Sequence, residues 1–381
     1  MAEIEPFHVM ALLARARDLE AAGRSIVHME IGEPDFPTPE PVVAAAQAAL
    51  AGGAVHYTPA LGLIGLREAI AGFYAERHGV DIDPRRIAVT PGASGALLLA
   101  MGVLVDRDAE VLLADPGYPC NRHFARFVEG RARSVPVGPE TGYQLTPELV
   151  ERHWGERTSA VLLASPANPT GTLVPPEDVA RIAALAAQRG GMLIVDEIYQ
   201  GLVYEVEAAT ALAAAERLFV VNSFSKYFSM TGWRVGWLVA PEDYMGDIER
   251  LAQNIFLSAS TLGQHAALAA LRPETLAILE GRRAAFRERR DFLLPALREL
   301  GFDIPLTPAG AFYLYAGCGR FTDDSYQFAA DLLERAGVAV TPGRDFGNHE
   351  AERHLRFAYT TSLAQLEEGV ARLRRYLAAG A

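Results

Sequence analysis

Five short apolar runs in the middle of the chain constrain its fold more than any other feature. They fall at 86–90, 110–114, 160–164, 192–195 and 218–222. None alternates apolar with polar residues, so each reads as a strand buried on both faces. Helices are expected at 94–105, near 120–129, and from the Pro175-Pro176 pair to Gly190. Strands covered on both faces and separated by helices make a largely parallel sheet with a helical layer on each side. The run 235–240 follows the fifth strand too closely for a helical crossover and is expected to pair antiparallel.

Around this region the pattern is more mixed. Residues 11–22 read as an amphipathic helix ending at Gly23, and 66–78 as another. Thr38 and Pro39 read as the N-cap and first residue of a helix running to Gly52 and Gly53. Long helices are expected near 242–256 and 274–300, and the arginine-rich stretch Arg282 to Arg290 reads as one solvated face of the second. From about 301, short strands (310–315, 338–341, 355–358) alternate with helices (325–336, 363–378) in a smaller α+β unit. The expected division is an N-terminal arm with part of the small domain at 1–45, a large domain at 46–285, and a C-terminal small domain at 286–381.

With 381 residues and a formal charge of −12, the chain has room for a substantial core but lacks the clustered cations that nucleic-acid phosphates demand. Cys120 and Cys318 are too few and too far apart for a disulfide framework, and no Cys/His spacing suits a metal. The acidic N-terminus carries no signal pattern. The longest apolar run, 96–105, falls far short of the roughly 20 residues that span a bilayer. A cytoplasmic protein without a membrane anchor is expected.

In open α/β sheets, ligands bind beyond the carboxyl ends of the strands. Here those ends read Thr90-Pro91-Gly92-Ala93-Ser94-Gly95, Asp115-Pro116-Gly117-Tyr118, Ser165-Pro166-Ala167-Asn168, Asp196-Glu197-Ile198-Tyr199 and Ser223-Phe224-Ser225-Lys226. One edge thus gathers a small-residue turn opening a helix, an aromatic, an amide, an acid, a phenol and a lysine. The turn at 92–95 can offer backbone N–H groups to an anion, and Arg234 adds a permanent cation. No dinucleotide or Walker fingerprint is present. The lysine is singular: of 35 basic residues, Lys226 alone is not arginine. An amine can lose its proton and condense with an aldehyde, which a guanidinium cannot.

Taken together, these residues resemble the class I aminotransferases, pyridoxal-phosphate enzymes of the aspartate-aminotransferase fold. The resemblance spans nearly the whole chain. It runs from Ile31-Gly32-Glu33-Pro34-Asp35-Phe36-Pro37 through His56-Tyr57-Thr58-Pro59, Asn168-Pro169-Thr170-Gly171, Asp196-Glu197-Ile198-Tyr199 and Ser223 to Lys226. It continues through Arg234-Val235-Gly236 to Thr341-Pro342-Gly343-Arg344-Asp345-Phe346-Gly347 and Leu355-Arg356-Phe357. It implies a mostly parallel sheet of about seven strands flanked by helices, fold type I, with a smaller α+β domain. It also implies transfer of an amino group from an L-amino acid to a 2-oxo acid in a ping-pong cycle. Lys226 would hold the cofactor as a Schiff base and then serve as the base on the substrate's α-proton. Asp196 would pair with the pyridine nitrogen. Asn168 and Tyr199 would bind the cofactor's phenolic oxygen, and Tyr118 would stack on its ring. Ala93, Ser94, Ser223, Ser225 and Arg234 would hold its phosphate, with Tyr57 reaching the phosphate of a neighbouring subunit in a homodimer. Arg356 would fork onto the substrate carboxylate, with Gly32 and Asn168 beside it.

The sequence departs from relatives that take dicarboxylic substrates. Where some of them carry a lysine after the phosphate turn, this chain has Ser94, and Arg15, Arg17 and Arg122 are the arginines that could compensate. The expectation is a neutral aromatic or aliphatic donor, with 2-oxoglutarate or pyruvate as acceptor and Phe7, Met10 and Phe312 near the side chain. Two alternatives accompany it: carbon–sulfur β-elimination on the same fold, which would release ammonia, and a non-catalytic effector-binding module, which would need an appended DNA-binding domain.

Overall fold

A computed structural model describes residues 8–207 and 209–380. Its strands, in chain order, are β1 (Val27–His28), β2 (Ile87–Thr90), β3 (Glu110–Asp115), β4 (Arg131–Pro136), β5 (Thr158–Ala164) and β6 (Met192–Asp196). These are followed by β7 (Phe219–Ser223), β8 (Gly236–Val239), β9 (Tyr313–Gly317), β10 (Val338–Ala339), β11 (Thr341–Pro342) and β12 (His354–Ala358). Seven form one sheet in the order β2-β8-β7-β6-β5-β3-β4. The β4-β3-β5-β6-β7 block is parallel. β8 runs antiparallel to both its neighbours, as its short connection requires.

Alternate residues of the central strands enter two different cores. Leu112, Val161, Leu163, Leu193, Val195, Val220 and Trp237 lie in one. Val111, Leu113, Leu162, Ile194, Phe219, Val221 and Leu238 lie in the other, under the helices Gly92–Leu104 and Met245–Ile255. Burial on both faces accounts for the absence of polar alternation. Truncating one of these aliphatic side chains to alanine would cost about 2–5 kcal/mol.

The C-terminal unit contains a three-stranded antiparallel sheet, β11-β12-β9, packed with the helices Ser325–Asp331 and Leu363–Ala378. β1 pairs in parallel with β10, so the chain just before residues 30–33 is anchored to this unit. No helix among the described residues is long and apolar enough to cross a membrane.

Several elements differ from expectation. β4, the helix Pro147–His153 and the helix Thr261–Ala270 have no counterpart in the sequence reading. The 325–336 segment is α-helical only to Asp331 and closes in a π-turn at Leu332–Ala336. Thr38 is not a helix cap: the helix begins at Glu40, with Pro39 as the capping residue. The Thr38 hydroxyl instead donates to the Ser229 carbonyl and accepts from the Trp233 indole. The stretch Arg282 to Arg290 is not a solvated face either. Arg289 and Arg290 are buried, the first forked onto Asp35 and the second onto Glu205, with Asp291 alongside. They staple the helix Pro273–Leu300 to two loops.

Candidate active site

The register of the sheet brings the strand ends level. Thr90 and Ser223 both pair with Gly236, and Ala164 pairs with Asp196. Beyond that edge lies a cavity of about 310 Å³. Ala93, Ser94, Tyr118, Asn168, Asp196, Tyr199, Ser225, Lys226, Arg234, Gly32 and Arg356, all foreseen from the sequence, line it. Two other expected residues do not. Ser223 is buried behind the wall, its hydroxyl donating to the Val235 carbonyl at 3.0 Å and lying 2.9 Å from Ser225 Oγ. Tyr57 is 81% exposed on the surface.

Lys226, partly buried, donates from Nζ to the Gly32 carbonyl at 2.6 Å. Burial disfavours its ammonium form, and Arg356 and Arg234 push the same way against the carboxylates of Glu33 and Asp196. The amine's pKa falls from 10.5 to about 8. Asp196, at the end of β6, is buried and is raised to about 6 by that burial, opposed by the Ile198 N–H, which donates to it at 3.0 Å, and by Lys226. The Tyr199 phenol stays protonated far above the usual range, chiefly because it is buried.

At one end of the cavity the helix Gly92–Leu104 points its first turn inward. Gly92 has φ +69°, and a Cβ there would stand 2.6 Å from Arg234 Nη2, so only glycine lets the guanidinium lie against the turn. Arg234, itself at φ +53°, donates to the Thr231 carbonyl at 3.0 Å and reaches Ser225 Oγ at 3.4 Å. Helix N–H groups, hydroxyls and a guanidinium meet there, the donor set a phosphate requires. At the other end, Arg356 on β12 is 3% exposed. Its Nη1 donates to Asn168 Oδ1 at 3.0 Å, and its Nη2 to the Glu30 carbonyl at 2.5 Å and to Thr341 Oγ1 at 3.2 Å. Its Nε is buried without a partner. A buried guanidinium N–H without a partner is costly.

An anion cradle, a buried carboxylate, an aldehyde-reactive amine and a carboxylate fork in one cavity define an enzyme that processes amino acids on pyridoxal phosphate, and these residues fit that cofactor. Sequence and structure comparisons agree. The family profile "Aminotransferase class I and II" matches residues 24–373. The valine–pyruvate aminotransferase of Mycobacterium tuberculosis is 38% identical over 378 residues, covering 99% of this chain and 97% of that protein. The aspartate/prephenate aminotransferase of Thermus thermophilus is 36% identical over 377 residues, covering 98% and 97%. The crystal structure of an aminotransferase from M. tuberculosis superposes with a TM-score of 0.96 at 38% identity, covering 99% of this chain and 98% of that one. The chain therefore belongs to the class I and II aminotransferases, pyridoxal-phosphate-dependent enzymes that transfer amino groups.

Sequence reasoning missed Glu30, Glu33, Thr231 and Tyr313 on the cavity wall. Tyr313 reads as a core residue of an apolar strand, and its hydroxyl, which needs a partner when buried, was the only clue. Of the arginines proposed to compensate for Ser94, Arg15 pairs with Glu334 and Arg122 reaches the Asp345 carbonyl. Neither lines this cavity, nor does Arg17. Met10 does line it. Phe312 sits behind the wall, its ring centroid 6.0 Å from Lys226 Nζ. Phe7 lies outside the described residues.

Proposed function

We propose that this enzyme transfers the amino group of a neutral, apolar L-amino acid to a 2-oxo acid that lacks a distal carboxylate, with pyruvate favoured over 2-oxoglutarate as acceptor. One observation carries the substrate class: the cavity holds three cations, Lys226, Arg234 and Arg356, and each is committed elsewhere in the reading. The rest of the side-chain space is bounded by Val9, Met10, Ile31, Leu97 and Ile198, with the carboxylate of Glu33 at its edge. A distal carboxylate would find no free cation among the described residues of that wall. The M. tuberculosis relative named for valine and pyruvate supports the same class.

When bound, pyridoxal phosphate supplies an aldehyde that bonds to an amine and a ring that takes up an electron pair. The chain's residues do the rest. The N–H groups of the first turn at Ala93 and Ser94, the hydroxyls of Ser94 and Ser225, and Arg234 would hold the phosphate, with Ser223 keeping Ser225 in place. Asp196 would pair with the ring nitrogen, Tyr199 and Asn168 would hold the phenolic oxygen, and Tyr118 would cover the ring. Arg356 and the Gly32 backbone orient the substrate carboxylate. Lys226, its pKa lowered to about 8 chiefly by burial, would take the α-proton from the substrate carbon and deliver it to the former aldehyde carbon rather than back to the substrate.

The same reading makes the enzyme a cytoplasmic homodimer divided at 1–45, 46–285 and 286–381. Val55, Tyr57, Ile64, Ile255 and Leu257 are exposed apolar or aromatic side chains that a subunit interface could cover. Thr261 Oγ1 donates to the His56 carbonyl at 2.6 Å and so holds the loop that carries Tyr57. A panel of amino donors against both oxo acids tests the substrate class. Valine, alanine, leucine or an aromatic donor should exceed aspartate and glutamate in kcat/KM by at least about tenfold. Preference for a dicarboxylic donor would overturn the assignment.

A further inference from the structure

Tyr313 opens β9 and is 1% exposed, yet it touches both ends of the chemistry. Its hydroxyl lies 2.7 Å from that of Tyr199, with the two rings edge to face. Its ring face lies under Arg356, with Cζ 4.3 Å from the centroid. A Cβ on Gly32 would come 1.9 Å from its oxygen, so the strip of backbone that accepts from Lys226 rests directly against this phenol. Nothing in the roles assigned above uses it.

We propose that Tyr313 is a positioning residue for the transfer reaction: its hydroxyl donates to Tyr199, and its ring holds the Arg356 guanidinium flat for the substrate carboxylate. The inference rests on the cofactor reading of the preceding section. A phenol has one proton. If Tyr199 is to donate to the cofactor's phenolic oxygen, its own oxygen is free to accept, and Tyr313 is the donor in reach. Hydrogen bonds in such a chain strengthen one another, so the Tyr313 hydroxyl sharpens the donor strength of Tyr199 without contacting its acceptor. The ring acts separately. Arg356 spends its two terminal nitrogens on Asn168, Thr341 and the Glu30 carbonyl. The aromatic face supports the guanidinium without consuming any of its N–H donors. Arg356 is the charged group that acts on both phenols, while Glu33, Asp196, Arg234 and Arg356 surround the neighbouring Lys226.

Two variants of the holoenzyme separate the two parts. Tyr313→Phe keeps the ring and loses the hydroxyl, whereas Tyr313→Leu loses both. In the first, the pH midpoint of the bound cofactor's absorbance should rise by about 0.5, because a weakened Tyr199 stabilises the phenolate less. Affinity for an unreactive monocarboxylate should stay within twofold of wild type. In the second, the midpoint should rise equally and carboxylate affinity should fall about five- to tenfold. An unchanged midpoint in Tyr313→Phe, or unchanged carboxylate affinity in Tyr313→Leu, overturns the proposal. A wild-type protein that forms no coloured adduct would instead overturn the cofactor reading, so the two failures are distinct.

Discussion

At the scale of single residues, the amine of Lys226 is both the most informative and the most testable group. Lys226→Arg should retain its fold by circular dichroism and lose at least about 10⁴-fold in turnover, since guanidinium cannot form the bond to the aldehyde. Near-normal turnover would remove the mechanism. Burial lowers the amine's pKa to about 8, so the reactive form grows as pH rises through that value. Association of pyridoxal phosphate with the cofactor-free protein should therefore quicken about tenfold between pH 7 and 9 and then level off. A rate still climbing steeply at pH 10 would mean an ordinary, solvated lysine. Most of this residue-level picture was legible because reactive side chains stood at strand ends, where polar atoms in an apolar sequence stand out. Ser223 and Ser225 could not be told apart that way. Which hydroxyl faces the cavity depends on the bond from Ser223 to the Val235 carbonyl, a contact twelve residues away in sequence. Tyr57 projects from the surface, where one chain's sequence and fold give it no partner.

At the scale of elements, the parallel block was readable for a physical reason, since strands covered on both faces leave continuous apolar runs. β4 escaped because it is an edge strand, Arg131–Pro136, mostly exposed and carrying two arginines, with only one neighbour to satisfy. The helix Thr261–Ala270 is rich in alanine and has no exposed residue, so it offers no polar stripe to set a period. The buried arginines Arg289 and Arg290 misled for the converse reason: charge density resembles a solvated face until the carboxylates that meet it are known. The tightest element is the turn into the helix Gly92–Leu104. Gly92→Ala would add a Cβ 2.6 Å from Arg234 Nη2 in a left-handed backbone conformation. The expected result is a dissociation constant for pyridoxal phosphate raised by about 10–100-fold in equilibrium dialysis, with about 1–2 kcal/mol lost from the cofactor-free protein. Unchanged affinity would mean that the turn does not hold the phosphate.

At the scale of the whole molecule, β1 links the N-terminal segment to the C-terminal unit, and a charged triad sits on that link. His28 lies between Glu30, at 2.7 Å, and Glu20, at 3.1 Å. The hydrogen bond to Glu30 leads in raising the imidazole to about 9. The folded protein thus keeps a proton that the unfolded chain releases near 6.5. This stabilisation is complete below pH 6.5 and disappears as pH climbs through 9. The thermal stability of wild type relative to His28→Asn should be greatest at pH 6 and shrink by roughly 2–4 °C towards pH 9.5. A pH-independent difference would rule out proton binding as its source.

The solitary amine has a practical corollary. Reagents that acylate or cross-link lysine meet a single side chain in this sequence, and it stands inside the catalytic pocket rather than on the outer shell. In the cofactor-free protein such chemistry would mark no other side chain, the terminal α-amine apart, while reporting directly on occupancy: a ligand seated at Arg356 should shield the lysine, and one that binds elsewhere should not. For this enzyme, an ordinary amine-labelling reaction becomes a titration of its own active site.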